Sequence, residues 1–447
     1  MIDNLDRVKL VKSPDSDQVY FVGNLGFKRP ILNLSVFNSY GWTKNDIVEI
    51  STQELATLPD ATMVLRVKDG GVYSLSDKSY LGNLVLLIKN GSDSPAIQGI
   101  NEVDFGAYGF TATVQPQPEN KQSVQIVAEN LNVPWDIVFL PDGDLLVTER
   151  PGTLKRLGKN PTAITVPSVN SFGEGGLMGI ALHPDFAKNN LIYLYFTAKT
   201  DGTKNRVVRF KLENNQLIED RLIIDNIPSA LYHDGGQIAF GPDGLLYITT
   251  GDSEKPQLAQ DLNSLAGKTL RLTADGNIPA DNPFGSAVWS YGHRNAQGIA
   301  WDSQGRLWQT EHGRSGVLSG FDELNRIEKG KNYGWPTIQG SERSTGLETP
   351  IINSTATETW APSGLAFVNG KLYFAGLRGS TLYQAEVDEQ GNAVNLKKYF
   401  AGVYGRLRAV VLGPDGYLYF TTSNRDGRGT VRSGDDKILK IHQDYFK

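Results

Sequence analysis

The segment Leu231-Tyr-His-Asp-Gly-Gly-Gln-Ile-Ala-Phe-Gly-Pro-Asp-Gly-Leu-Leu-Tyr-Ile-Thr-Thr-Gly-Asp252 decides the fold. Two short apolar runs flank Gly241-Pro-Asp-Gly244, a turn signal that joins antiparallel strands. The phrase recurs as Pro141-Asp-Gly-Asp-Leu-Leu-Val147, Pro184-Asp-Phe-Ala-Lys-Asn-Asn-Leu-Ile-Tyr-Leu-Tyr195, Ser303-Gln-Gly-Arg-Leu-Trp308, Val368-Asn-Gly-Lys-Leu-Tyr-Phe374 and Pro414-Asp-Gly-Tyr-Leu-Tyr-Phe420. Six hairpins in order, each preceded by a further apolar strand such as Gly298-Ile-Ala-Trp301, leave room for a four-stranded unit per repeat. The expectation is an all-β chain whose larger part is a six-bladed β-propeller. Asp-Gly and Asn-Gly at the turns point to type I′ geometry, with positive φ at both central residues. Similar hairpins also recur in paired β-sandwiches, but the count and order favour closure into a ring.

Composition bounds the rest. The 447-residue chain has 48 glycines, no cysteine and a net charge of −5. Disulfides, thiolate metal sites and cysteine nucleophiles are excluded. With no basic block, nucleic acid is not an expected partner, and without an apolar run long enough to span a bilayer no membrane span is expected. The N-terminus shows no signal peptide, although a removed leader would leave the same appearance.

Residues 1–113 read as a small, mostly β accessory domain of unknown role, either adhesive or a spacer. It contains a loose duplication of Leu10–Asn33 in Val64–Asn83, and short helical pieces near Val36 and between Asp46 and Leu58. Residues 114–122, with Gln115-Pro-Gln-Pro118, read as a linker, and 123–447 as the propeller.

Propeller loops converge on one end of the axis, so polar residues beside equivalent strands become neighbours. Glu174, His233, Asp252, Gln257, Arg294, Asn295, His312, Gly313, Arg378, Arg406 and Arg408 occupy such places. Singly, each has a plain structural reading: a surface histidine, a turn aspartate, a solvated Arg-x-Arg. Together they describe a base beside a site for a polyanion, because arginine recognises carboxylates and phosphates in a bidentate fashion.

His233-Asp-Gly-Gly236, Gly292-His-Arg-Asn-Ala-Gln-Gly298, Thr310-Glu-His-Gly313, Asp322-Glu-Leu-Asn325, Lys331-Asn-Tyr-Gly-Trp-Pro336 and Arg406-Leu-Arg408 with Gly413-Pro-Asp-Gly416 together resemble the soluble quinoprotein glucose/sorbosone dehydrogenases, aldose sugar dehydrogenase branch, over roughly residues 123–443. The resemblance implies a six-bladed propeller that binds pyrroloquinoline quinone (PQQ) and Ca2+, oxidises the anomeric carbon of aldose sugars to lactones, and passes electrons to an external acceptor. It implies His233 as general base, Asp252 as its orienting acid and Arg294 as stabiliser of charge on the quinone oxygen. Asn295, Arg378, Arg406 and Arg408 would anchor the cofactor, with Glu174, Gln257 and Leu258 lining its pocket or the sugar's. Carbonyls of Gly313 and Arg314 would serve one calcium, and Glu323 with the Tyr333 carbonyl a second; a plain turn beside a solvated acid is the alternative for that pair. An extracytoplasmic location is implied as well. Departures from the family pattern are Arg314 for proline, Ala296 for proline, Ala409 for aspartate, Glu174 for glutamine, Arg378 for lysine, and a longer Ser315–Phe321 loop. Two alternatives stay open: a propeller lactonase or hydrolase, and a non-catalytic extracellular binding propeller.

Overall fold

The computed structural model describes residues 9–22, 27–61, 63–66, 72–74, 97–100, 107–108, 123–159, 161–200, 202–315 and 320–446. The chain divides into two compact units, Met1–Asn120 and Lys121–Lys447. The proposed linker 114–122 lies outside the described residues, as does the middle of the Ser315–Phe321 loop.

In the first unit, Lys9–Lys12 pairs antiparallel with Tyr20–Val22 and parallel with Ile47–Glu49. Met63–Arg66 repeats this arrangement, antiparallel with Val72–Ser74 and parallel with Ile97–Ile100. Of the stretch Val64–Asn83 expected to duplicate Leu10–Asn33, only 64–66 and 72–74 are among the described residues, and these pair antiparallel as 9–12 and 20–22 do. Asn33 caps the helix Leu34–Ser39, and a Ser51/Glu54 capping box starts Thr52–Thr57. Val36 and Phe37 of the first helix pack with Leu10 and Ile31, and Leu55 of the second with Val11, Val22 and Leu58.

The second unit is almost wholly β. Among the described residues it holds six four-stranded antiparallel sheets, five of them contiguous in sequence and beginning at Pro134, Leu177, Ile238, Ala296 and Pro362. The sixth combines Leu407–Leu412, Tyr417–Thr422 and Ile438–His442 with Gln125–Ala128, so the start of the unit pairs with its end. First strands of neighbouring sheets touch from 134–139 to 177–182 to 238–240. The third and fourth sheets meet through 246–249 and 296–301, and the circuit continues through 362–368 and 407–412 back to 134–139. This is the architecture of a β-propeller, in which a closed ring protects strand edges without disulfides.

All six sequence-predicted turns fall between the first and second strands of their sheets. Their geometry differs from the type I′ expectation. Only Asn369-Gly370 has positive φ at both positions, 50° and 79°. At Pro141-Asp-Gly143 only the glycine is positive (φ 89°), and Gly143 N–H bonds back to Leu140 O at 3.0 Å. Proline holds φ near −65°, which fits position i+1 of a type I turn and forbids I′; the glycine then takes the left-handed position of the bulge. Gly244 and Gly416 repeat the pattern.

Adjacent sheets are tied by a recurring device. Thr148 Oγ1 donates to Met178 O (2.6 Å), Thr249 to Ala296 O (2.9 Å), Thr310 to Ser363 O (2.6 Å) and Thr421 to Pro134 O (3.3 Å). Each threonine ends a buried apolar run on a second strand and reaches the first strand of the next sheet. At the second junction Asn205 Nδ2 reaches Asp234 Oδ1 instead (2.9 Å).

Candidate active site

His233 sits at the close of the loop leading into the third sheet, in left-handed backbone (φ 64°) that a non-glycine residue adopts only when its surroundings enforce it. The following glycines allow this path: a Cβ on Gly235 would lie 2.6 Å from Thr250 Cα, and one on Gly236 2.9 Å from Met178 Sδ. Asp234 is buried. Its carboxylate accepts from Asn205 Nδ2 and Ser229 Oγ, its carbonyl accepts from Tyr195 OH, and burial pushes it up to about 6.

The imidazole Nδ1 lies 2.8 Å from Asp252 Oδ1. Asp252 is wholly buried, and its oxygens also accept from Glu254 N–H (2.9 Å) and Trp335 Nε1–H (2.8 Å). A carboxylate facing only donors is an acceptor, which assigns the proton to Nδ1 of His233 and leaves Nε2 for a ligand. Asp252 occupies the end of the Thr249–Gly251 strand exit, and its own N–H is held by Arg294 O at 2.7 Å.

His233 borders a cavity of about 470 Å³. The cavity also gathers Glu174, Arg294, Gly313, Arg314, Arg378, Arg406 and Arg408, which come from five different parts of the ring. Arg294 is buried, donates to Ser315 Oγ (2.9 Å) and His312 O (3.3 Å), and lies over the Trp335 ring at 5.4 Å. Arg406 pairs with Asp426 at 2.8 Å. Arg408 makes no ion pair among the described residues; it donates to Gln297 Oε1 (3.1 Å) and Ser423 Oγ, over the Trp135 ring. Burial pushes it down to about 10, so it remains a cation at neutral pH. His312 has a buried Nε2 without a hydrogen-bond partner, and burial with the neighbouring arginines pushes it down to about 3, opposed by Glu174.

Glu174 accepts the His233 N–H on Oε2 (3.1 Å) and pairs with Arg428 Nη1 through Oε1 (2.5 Å). Burial works against its ionisation, but His312 and Arg428 hold it down at about 2. Because His312 is itself neutral above pH 3, Arg428 does this at ordinary pH.

Several expected residues stand elsewhere. Asn295 is fully buried behind the cavity, accepting Gly235 N–H at 3.0 Å, with its Nδ2 unpartnered. Gln257 and Leu258 lie on the 3-10 helix Pro256–Gln260 and do not border the cavity; Gln257 is exposed, and Lys268 Nζ holds Leu258 O at 2.8 Å. Glu323 and Tyr333 border a separate cavity of about 10 Å³ with Glu311 and Gln339. Glu323 is pushed up to about 8 by burial and the nearby Glu311, and Gln339 Oε1 is buried without a partner. Trp335, Asp426 and Arg428 were not picked out from sequence. Arg428 lies in Ser423-Asn-Arg-Asp-Gly-Arg428, the loop that follows a second strand, as the loops carrying Asp252 and His312 do; that placement was the available signal.

On this propeller a histidine–carboxylate pair borders one cavity together with the arginines Arg294, Arg406 and Arg408, an arrangement chemically suited to a base beside an anionic ligand. The chain belongs to the family described as Glucose / Sorbosone dehydrogenase, which matches residues 131–432. It is 34% identical to the aldose sugar dehydrogenase YliI of Escherichia coli, over 68% of this chain and 91% of that one. An uncharacterized protein of Synechocystis is 33% identical over 78% of this chain and 98% of its own. The PQQ-bound aldose sugar dehydrogenase of Streptomyces coelicolor superposes with a TM-score of 0.66 and 42% identity, covering 71% of this chain and 97% of that one.

Proposed function

We propose that this chain is a PQQ-dependent aldose sugar dehydrogenase that oxidises the anomeric carbon to the lactone and hands electrons to an external acceptor. In this reading residues 123–447 form a six-bladed propeller carrying the site, 114–122 a linker, and 1–113 an accessory domain. The observation that carries the proposal is the His233–Asp252 pair at a cavity also lined by Arg408, which makes no ion pair among the described residues.

The residues fit the cofactor's chemistry. Arg378, Arg406 and Arg408 would hold carboxylates, Arg294 a developing oxyanion, and the unpartnered His312 Nε2 lies close by. Calcium prefers oxygen donors, and carbonyls of Gly313 and Arg314 at the cavity would serve it. The crowded carboxylates Glu311 and Glu323, with the orphaned Gln339 oxygen and the Tyr333 carbonyl, suit a second calcium. PQQ, when bound, supplies the hydride acceptor. The protein's part is to take the proton of the anomeric hydroxyl on His233 Nε2, while Asp252 holds Nδ1–H and stabilises the resulting imidazolium. Trp335, bonded to Asp252 and stacked on Arg294, keeps both in place.

Among the described residues no helix is long and apolar enough to cross a membrane, and the proposal includes an extracytoplasmic location. The test is glucose-dependent dye reduction after loading with PQQ and calcium, for the protein and for His233→Ala. The variant should bind the quinone and fail to turn over; full activity in it would overturn the assignment of the base.

A further inference from the structure

In the loop that presents His233 the Leu231 and His233 carbonyls accept the Glu174 and Ser253 N–H groups (2.9 and 3.2 Å), but its own N–H groups are held by carboxylates. Three successive N–H groups face side chains: Leu231 and Tyr232 donate to Glu254 Oε2 (3.1 and 3.4 Å), and His233 donates to Glu174 Oε2 (3.1 Å). Ser253 and Glu254, alongside, are also left-handed (φ 52° and 58°). This stretch of backbone keeps an unfavourable conformation only while its amides stay engaged.

Glu174 is the half of this clamp that grips His233 itself, and its other oxygen is taken by Arg428 at 2.5 Å. The two residues are 254 positions apart, so the bond joins the last sheet's loop to the loop after the first sheet. Arg428 also lies over the Tyr232 ring at 5.3 Å, touching the His233 loop a second time. Its own loop is fixed from below: Asp426 Oδ1 accepts Arg428 N–H (2.9 Å), while Asp426 Oδ2 holds Arg406 (2.8 Å). Asp435 and Asp436 accept from Asn424, Arg425 and Arg432 in the same loop.

We propose that Arg428 is a positioning residue for the general base: through Glu174 and Tyr232 it sets the backbone of His233 and so the aim of its imidazole into the cavity. This rests on the reading of His233 as the base. Arg428 also lines the cavity, but this role is exerted through Glu174 and Tyr232 and needs no contact of its guanidinium with the reacting atoms. Displacing a base by about an ångström costs on the order of 100-fold in rate without a matching loss of ground-state binding. Loss of Arg428 therefore acts on kcat more than on KM.

The experiment compares Arg428→Gln, Arg428→Lys and the unaltered full chain. Arg428→Gln should lower kcat roughly 10- to 100-fold, with KM for glucose and the affinity for PQQ changed less than about threefold. Amide deuterium exchange in the quinone-free protein should rise in the peptide spanning 229–236 and not in the strands. Arg428→Lys, which keeps a cation for Glu174, should recover most of both. The proposal is overturned if Arg428→Gln leaves kcat and exchange at 229–236 unchanged, or if its main effect is lost PQQ binding, which would make Arg428 a cofactor anchor. Should the unaltered protein show no quinone-dependent turnover, the functional reading fails separately. The exchange data would still confirm or refute Arg428 as the holder of the loop.

Discussion

At the residue scale, the proposed chemistry rests on how few degrees of freedom His233 retains. Asp252 fixes the tautomer, Trp335 fixes Asp252, and Glu174 fixes the backbone. Asp252→Asn should lower kcat by about 10³- to 10⁴-fold, by analogy with an orienting carboxylate elsewhere, while PQQ affinity holds; a tenfold loss or less would argue against the orienting role. Glu174 makes a second, pH-dependent prediction. Its folded-state value of about 2 lies below the usual carboxylate range. The folded state therefore binds fewer protons, and the stabilisation is present above about pH 4.5 and lost as pH falls towards 2. The melting-temperature difference between the protein and Glu174→Gln should shrink across that window; a pH-independent difference would contradict it. His233, Asp252, Arg294, Arg378, Arg406 and Arg408 were legible as cavity residues from their places in or beside strands. Glu174 was legible as a residue near the site, but not its role, because a carboxylate's effect depends on its partner. That partner, Arg428, comes from the far end of the chain.

Among the elements, hairpin turns carried the clearest message. Pro-Asp-Gly at three places, Asn-Gly at one, Gln304-Gly305 and the longer Pro184–Asn190 segment, each between apolar runs, located all six first-to-second strand connections. The three Pro-Asp-Gly turns depart from the type I′ expectation because the proline before Asp-Gly forbids I′, a local steric fact that outweighs the dipeptide's general preference. The outer strands were harder to read, since half-exposed pieces such as Gln216–Pro228 lack a clean alternation. Threonines such as Thr310 look like ordinary strand residues in sequence; only the closed ring reveals that they bond across sheets. Thr310→Val would leave the Ser363 carbonyl without its donor and should cost about 1–2 kcal/mol of unfolding free energy. Denaturant titration of the isolated substitution measures this, and no change in the midpoint would show that the bond is redundant.

On the scale of the whole molecule, ring closure by Gln125–Ala128 against Ile438–His442 explains how residues from distant parts of the sequence share one cavity. A chain beginning at residue 121 should fold and bind PQQ. One beginning at 131 loses the closing strand, exposes the 438–442 edge, and should aggregate or melt far lower; equal stability of the two would refute the closure argument. Propeller closure was legible from the repeat, whereas which arginines pair internally and which are left for a ligand was not, because that depends on neighbours such as Asp426. The central claim is that this arginine-lined cavity holds a quinone beside a histidine base. The most direct measurement is the absorption spectrum of the purified chain mixed with PQQ and calcium, before and after glucose. The account predicts a bound-quinone band that converts to the reduced form on adding sugar, and a quinone spectrum unchanged by both protein and sugar would contradict it.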